Sequence, residues 1–338
     1  MSARSELQDR LILSTLKKVQ NAPDYVQKWY NSLVASDESA ETIRDYTNKV
    51  VQLLYFVNED NIREVSCDDL TEDQVVAFFI SKKYKVVDGE KINTSDSYQI
   101  SLWHCLNNFF EFLVDRNYID RNYMSGIKKP KNRDLTRINR ERVRVTKEDL
   151  NTILEEVEQG TGSHKAKEFQ KLTKERDKLI FLLFMTTGMR KTALTEVNLC
   201  DIDMDNKLLV LTDKGEKEHA YKLNDLVMEV LGDWLKKRET LCEPSEKALF
   251  ISRYGKRMSG TAVADVTKKY SECVSDYGLS PHKFRSAFCS ILYDETGDIE
   301  FVRRAVGHSN VATTQRYIVT KEREKEVASN IFQNIFAV

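Results

Sequence analysis

The sequence predicts a mainly α protein built from two domains. Three observations carry that reading. The chain has 338 residues, more than one hydrophobic core usually organises. Only four prolines and twelve glycines punctuate it, so helices run with few breaks. Apolar residues recur at three- and four-residue spacing along most of the chain, and convincing strand alternation occurs in one place. The expected organisation is a helical domain over residues 1–127, a basic linker over 128–145, and a mixed α/β, mostly helical domain with a small antiparallel sheet over 146–338.

In the first domain, residues 7–20 carry Leu11, Leu13, Leu16 and Val19 near helical spacing, and residues 24–34 carry Tyr25, Trp29 and Tyr30. Ser39 is placed to cap a third helix bearing Ile43, Tyr46, Val50, Leu53, Leu54 and Phe56. Thr71 followed by Gln74 has capping-box spacing and opens a helix through Val75, Phe78, Phe79 and Ile80. Asp88-Gly89 reads as a turn. A long helix over residues 95–116 then shows Leu102, Leu106, Phe109, Phe110 and Leu113 on one side. The aromatics are expected in a core.

The linker reads Lys128-Lys129-Pro130-Lys131-Asn132-Arg133 and continues through Arg137, Arg140, Arg142 and Arg144, with Asp134 and Glu141 opposing. It is either a solvated connector or one that also touches nucleic-acid phosphates; its density of cations favours the second. Thr146 then caps a helix with Leu150, Ile153, Leu154 and Val157 on one face. Residues 160–165 read as a loop, and 169–185 as one apolar helix leading to Gly188 and Arg190. The strand signal is a hairpin: residues 208–211, a turn at Asp213-Lys214-Gly215-Glu216, and a return over 219–223. Asn224 caps the next helix, residues 249–252 suggest another short strand, and residues 259–274 a further helix. Tyr277-Gly278 breaks before Ser280.

Charge and cysteine usage narrow the class. Lysine and arginine number 52 against 53 acids, a formal net charge of −1, so a nucleic-acid partner would require the cations to be gathered on one face. Six cysteines show no CxxC spacing, which argues against zinc clusters and disulfide frameworks. Arg4, Glu6, Asp9 and Arg10 interrupt any secretory core, and the longest apolar run, near 179–185, is too short to span a bilayer. A cytoplasmic protein without a membrane partner is expected.

Chemistry concentrates in Arg190, Lys214, His282, Arg285, His308 and Tyr317. Two guanidiniums offer parallel N–H donors matched to the non-bridging oxygens of a phosphate. A lysine at a hairpin tip suits protonation of a leaving oxygen. The histidines can donate to phosphate and relay protons near neutral pH. Tyr317 supplies a phenol nucleophile, activated as its proton is drawn off near cations. No His/Asp/Glu cluster with metal-ligand spacing is visible, and no cofactor is implied.

Thr187-Gly188-Met189-Arg190, Asp213-Lys214-Gly215-Glu216-Lys217, His282-Lys283-Phe284-Arg285, Val306-Gly307-His308-Ser309 and Thr313-Thr314-Gln315-Arg316-Tyr317 follow in that order. The order resembles the tyrosine recombinase (phage integrase) family. The resemblance is firm over residues 146–319 and loose before them. It implies a helical, SAM-like core-binding domain that clamps duplex DNA, a catalytic domain forming a 3′-phosphotyrosyl intermediate, and the six residues as its catalytic set. It also implies double-stranded recombination sites as partners, a homo-tetramer on paired sites, work at the nucleoid, and DNA recombination or integration for a mobile element or chromosome. Two positions depart from the family pattern: Ala193 stands where an acidic residue is frequent, and His219 where an arginine is. The rival readings are a type IB topoisomerase-like enzyme and a non-catalytic DNA-binding scaffold. Beyond Tyr317, Val327, Ile331, Phe332, Ile335 and Phe336 form an apolar helical stripe, to be buried on its own domain or in a neighbouring subunit.

Overall fold

Several helices begin where the sequence offers a Ser, Thr or Asn side chain to an unpaired backbone N–H. In a computed structural model describing residues 3–36, 38–87, 89–131, 145–212, 218–308, 310–315 and 317, the Ser39, Thr71, Ser95, Asn224 and Ser259 side chains each accept from the backbone N–H three residues on. Thr146 and Asp149 form a reciprocal capping box. Contacts divide the chain into two units, Met1–Glu141 and Arg142–Val338.

The first unit contains α1 (Ala3–Val19), α2 (Asp24–Ala35), α3 (Ala40–Val57), α4 (Glu72–Ser81) and α5 (Asp96–Asp115). Trp29, Leu53, Phe78, Leu106, Phe109 and Phe110 are buried together in its core. Polar ties fix the helices: Trp29 Nε1 donates to Asn108 Oδ1 at 2.9 Å, and buried Lys49 links Asp45 to Ser101 across α3 and α5. Between α4 and α5 stands a hairpin, β1 (Tyr84–Val87) with β2 (Glu90–Asn93). The sequence reading saw only the turn at Asp88-Gly89. The strands escaped it because β2 is exposed on both faces, so no buried side imposes an apolar alternation.

The second unit contains α6 (Lys147–Gln159), α7 (His164–Gln170), α8 (Lys174–Thr187), α9 (Lys191–Glu196), α10 (Asp225–Glu239), α11 (Gly260–Ser271), α12 (Pro281–Thr296), α13 (Ile299–Ala305) and α14 (Val311–Gln315). An antiparallel sheet orders β3 (Ile202–Asp203), β4 (Leu208–Thr212) and β5 (Glu218–Lys222) side by side. At the centre lies α8, whose Leu179 to Phe184 are all buried; α6, α10 and α12 pack around it.

Two expectations are corrected here. The single helix over 169–185 is two, α7 and α8. Gln170 exchanges hydrogen bonds with the Thr161 backbone, at 2.9 and 2.8 Å, which anchors the end of α7 and turns the chain. Residues 249–252 make isolated bridges, Asn198 with Ala248 and Ile251 with Arg257, in place of a strand. Their carbonyls are taken by side chains: Arg238 Nε donates to Ala248, Trp234 Nε1 to Leu249 and Arg176 Nη1 to Ile251. Acceptors satisfied by helices no longer need a neighbouring strand.

Gly188 ends α8 in the left-handed region at φ +61°. A Cβ there would lie 2.4 Å from Phe288 Cδ1. Both the backbone and the close approach of α12 require glycine. Gly188→Ala is expected to destabilise the fold by roughly 1 kcal/mol or more. Urea denaturation checks this, and adding Phe288→Leu should recover part of the loss.

Candidate active site

Arg285 sits one turn into α12 and is 2% exposed. Its guanidinium is held by backbone and ring acceptors. Nη1 donates to Gly188 O, and Nη2 donates to Val306 O at 2.9 Å and meets His308 Nε2 at 2.8 Å. The end of α8 and the turn after α13 therefore converge on one cation. Its Nε–H is buried and has no partner among the described residues. A buried donor left unpaired costs about 1–3 kcal/mol, so an acceptor entering there is favoured.

His308 is equally enclosed, at 2% exposure. A guanidinium only donates, so Nε2 must accept from it. The proton then sits on Nδ1, which donates to Thr314 Oγ1 at 3.0 Å. Burial pushes the His308 pKa down to about 4, helped by the positive charges of Arg285, Arg190 and Arg303. The ring is neutral at physiological pH. Arg303 Nη1 clamps the His308 carbonyl at 2.5 Å while its other nitrogens grip Glu300.

Tyr317 is half-buried against a small cluster of Cys289, Val302 and Val306. Its ring centroid lies 4.8 Å from that of His282 and 5.0 Å from that of His308, and Arg285 Cζ is 5.5 Å from it. The Tyr317 carbonyl accepts from Ser286 Oγ at 2.7 Å and Ser290 Oγ at 3.3 Å. His282, Ser286 and Ser290 follow at four-residue steps, so one face of α12 carries the exposed imidazole and both hydroxyls.

Arg190 is the N-cap residue of α9 and is exposed. Its charge reaches the cluster, since it helps to lower the pKa of Arg285 after burial itself. Gathering two guanidiniums in one place is unfavourable until an anion joins them. His219, at the start of β5, lies under Gly307: a Cβ on that glycine would come within 2.8 Å of the ring. The sheet thus abuts the Gly307-His308 turn.

Of the six residues singled out in the sequence, the structure gathers Arg190, His282, Arg285, His308 and Tyr317. Lys214 lies outside the described residues, as do Arg133, Arg137, Arg140, Arg142, Arg144 and the apolar stripe after Tyr317. Lys128, Lys129 and Lys131 are exposed. Sequence reasoning missed Ser286, Ser290, Thr314 and Arg303 as parts of the site. The four-residue spacing of Ser286 and Ser290 from His282 was a usable signal. Thr314 stood inside the motif ending at Tyr317 without a role of its own, and nothing local marked Arg303.

A model of the phage integrase family matches residues 143–324, more than half of the chain. The chain belongs to the phage integrase family. This is the tyrosine recombinase family that the ordered motifs resemble. Tyrosine recombinase XerC of Psychromonas ingrahamii is 27% identical over 282 residues, covering 82% of this chain and 85% of that protein. The fold is similar to that of the XerH site-specific recombinase bound to a palindromic difH substrate in a post-cleavage complex. That likeness has TM-score 0.68 and 17% identity, over 96% of this chain and 89% of that one. A lambda integrase tetramer bound to a Holliday junction is also similar, with TM-score 0.57 and 14% identity, over 87% and 76% of the two chains. Among the described residues no helix is long and apolar enough to cross a membrane, and no cluster of His, Cys, Asp or Glu could hold a metal ion.

The His308 environment sets a pH dependence. Its folded pKa is below the unfolded value near 6.5, so the unfolded state binds more protons between the two. Its contribution to stability is complete above about pH 6.5 and is lost as pH falls through about 4. Imidazole nitrogen NMR should show an Nδ1–H tautomer that titrates near 4, and Thr314→Val should disturb that tautomer. Titration of His308 near 6.5 in the wild type would contradict the buried arrangement.

Proposed function

We infer that this chain is a site-specific DNA recombinase that cuts and rejoins strands through a 3′-phosphotyrosyl bond on Tyr317. Family membership supports the reaction class. The observation supporting the residue roles is the buried Arg285 guanidinium, with an unpartnered Nε–H, in contact with the Tyr317 ring. A phosphate between Arg285 and Arg190 would satisfy that donor and neutralise the crowded cations.

In this reading Tyr317 Oη attacks phosphorus, a phosphorus–oxygen bond to tyrosine forms, and the bond to the 5′-oxygen breaks. Exposed His282, beside the ring, relays the phenol proton. Lys214 protonates the leaving 5′-oxygen. The 5′-hydroxyl of a partner strand then reverses the step, so one phosphoester replaces another and no nucleotide is consumed. His308 acts through Arg285: its Nε2 lone pair aims the guanidinium, while Thr314 and Arg303 hold the ring.

The partners in this reading are double-stranded recombination sites, engaged by a homo-tetramer that exchanges its C-terminal helix between subunits. Support comes from the similar structures, one on a difH substrate and one a tetramer on a Holliday junction. The first unit serves as the core-binding clamp, and residues 128–145 as a linker touching phosphates. The work is done in the cytoplasm, at the nucleoid. Strand exchange confined to a defined site distinguishes this activity from supercoil relaxation by a type IB topoisomerase. A covalent adduct distinguishes it from a DNA-binding scaffold.

On a nicked suicide substrate the wild type should form a detergent-stable adduct that Tyr317→Phe abolishes. An adduct persisting in that variant would remove Tyr317 from its role. A substrate with sulfur at the bridging 5′ position should rescue Lys214→Ala far better than Arg190→Ala, because a thiolate leaves without protonation. Equal rescue would assign Lys214 to binding.

Joint Ser286→Ala and Ser290→Ala removes the hydroxyl donors to the Tyr317 carbonyl and should slow adduct formation roughly 10- to 100-fold. DNA affinity should not change, and Ser286→Thr in the Ser290→Ala background should restore most of the rate. A parallel loss of affinity would mean that the serines support the fold in general.

A further inference from the structure

The first unit carries a feature that the catalytic cluster does not use. The β1–β2 hairpin, the start of α5 and residues 126–131 enclose an open groove of about 1550 Å³. That exceeds the few hundred to 1,000 Å³ usual for a small-molecule site, so the shape suits a macromolecular segment. Its walls are strongly biased in charge. Lys82, Lys83, Lys85, Lys128 and Lys131 line it, with Asp96 the sole carboxylate among its lining residues. This bias stands out in a chain whose net charge is −1.

Among the described residues no layer covers the hairpin. In the register, Tyr84 and Val86 share one face with Lys91 and Asn93, while Lys85, Ile92 and Glu90 share the other. Lysines therefore stand on both faces, and Lys91 Nζ lies 4.3 Å from the Tyr84 ring centroid. Val86 is 73% exposed, and Tyr84, Ile92 and nearby Ile80 are also exposed. A two-stranded ribbon with neither face buried is marginal by itself, and an exposed apolar patch of this kind marks a contact surface.

We propose that this ribbon and groove are a DNA-contacting element, in which the ribbon enters the major groove and the lysines bind the flanking phosphates. It rests on the recombinase reading and adds a recognition element outside the catalytic cluster, bordered by the first residues of the linker. Charge complementarity selects the occupant: five lysines against one carboxylate along the groove match the phosphates of a duplex. The major groove, about 12 Å wide, admits a two-stranded ribbon. Val86, the more exposed of the two apolar strand residues Val86 and Ile92, offers an apolar contact to a thymine methyl.

The test uses the full chain carrying Tyr317→Phe, so that binding is read without cleavage. Lys82, Lys83, Lys85 and Lys91 are replaced by alanine together. The plot of log affinity against log salt should flatten by about 0.9 per lost phosphate contact. Hydroxyl-radical protection should shrink at one flank of the site and persist at the cleavage position. Circular dichroism and melting report whether the variant folds; should it not, Lys85→Ala and Lys91→Ala singly, both exposed side chains, give the same readout. An unchanged slope and footprint in a folded variant overturn the proposal. So does a loss of self-association in sedimentation with DNA binding intact, which assigns the ribbon to a second copy of the chain. With Tyr317 restored, the lysine variant should still form the suicide-substrate adduct at saturating protein. Absence of any adduct in the wild type is a failure of the recombinase reading and not of the ribbon.

Discussion

The second unit depends on one buried cation. The Arg285 guanidinium joins the carbonyl ending α8, the carbonyl ending α13 and the His308 ring. A charge this enclosed is costly unless its donors are occupied. Three acceptors from separate segments meet most of that cost, and each is thereby fixed in place. Gly188 must be glycine for its carbonyl to reach Arg285 while Phe288 packs behind it. Val306 must end α13 where it does for Gly307 and His308 to turn inward. The arrangement is both a structural joint and the floor of the candidate site.

Electrostatics and burial act together on the neighbours. A depressed pKa keeps His308 neutral, so it can accept from Arg285 without adding a third positive charge. Arg190 adds its charge from the start of α9, where it is exposed and can meet a ligand from solvent. The outcome is a half-open cationic site in which Arg285 and His308 are buried while Tyr317 and His282 lie at the rim. Tyr317 is tied through its backbone carbonyl to two serines of α12, which leaves the phenol free of those tethers. Holding a side chain by its main chain fixes position without masking its oxygen.

The two units use their polar residues differently. In the first, Trp29, Lys49 and Asn108 fasten helices to one another, and the cations at the β1–β2 hairpin face solvent. In the second, buried arginines are structural parts. Arg176 pairs with Asp177 and reaches Ile251 O, and Arg238 takes the carbonyls of Ala248 and Glu246. These side chains satisfy backbone that carries little sheet, which is how a mostly helical unit accommodates its irregular segments.

Helix positions and caps were legible in the sequence because they depend on neighbours three or four residues apart, and the β4–β5 hairpin because two short strand-prone runs flank a local turn signal. So were the short motifs that hold Arg190, His282, Arg285, His308 and Tyr317, because each motif is local in the chain. The long apolar run before Gly188 correctly marked the central helix of the second unit, but its beginning did not show: the break before α8 depends on Gln170 bonding to Thr161, nine residues away. Only tertiary structure decided that Ala248, Leu249 and Ile251 would lose their carbonyls to side chains from helices. It also decided that His308 would accept from Arg285, and that Thr314 would fix the tautomer. A histidine's donor or acceptor role is set by what surrounds it in space, and the sequence determines that surrounding only through the fold.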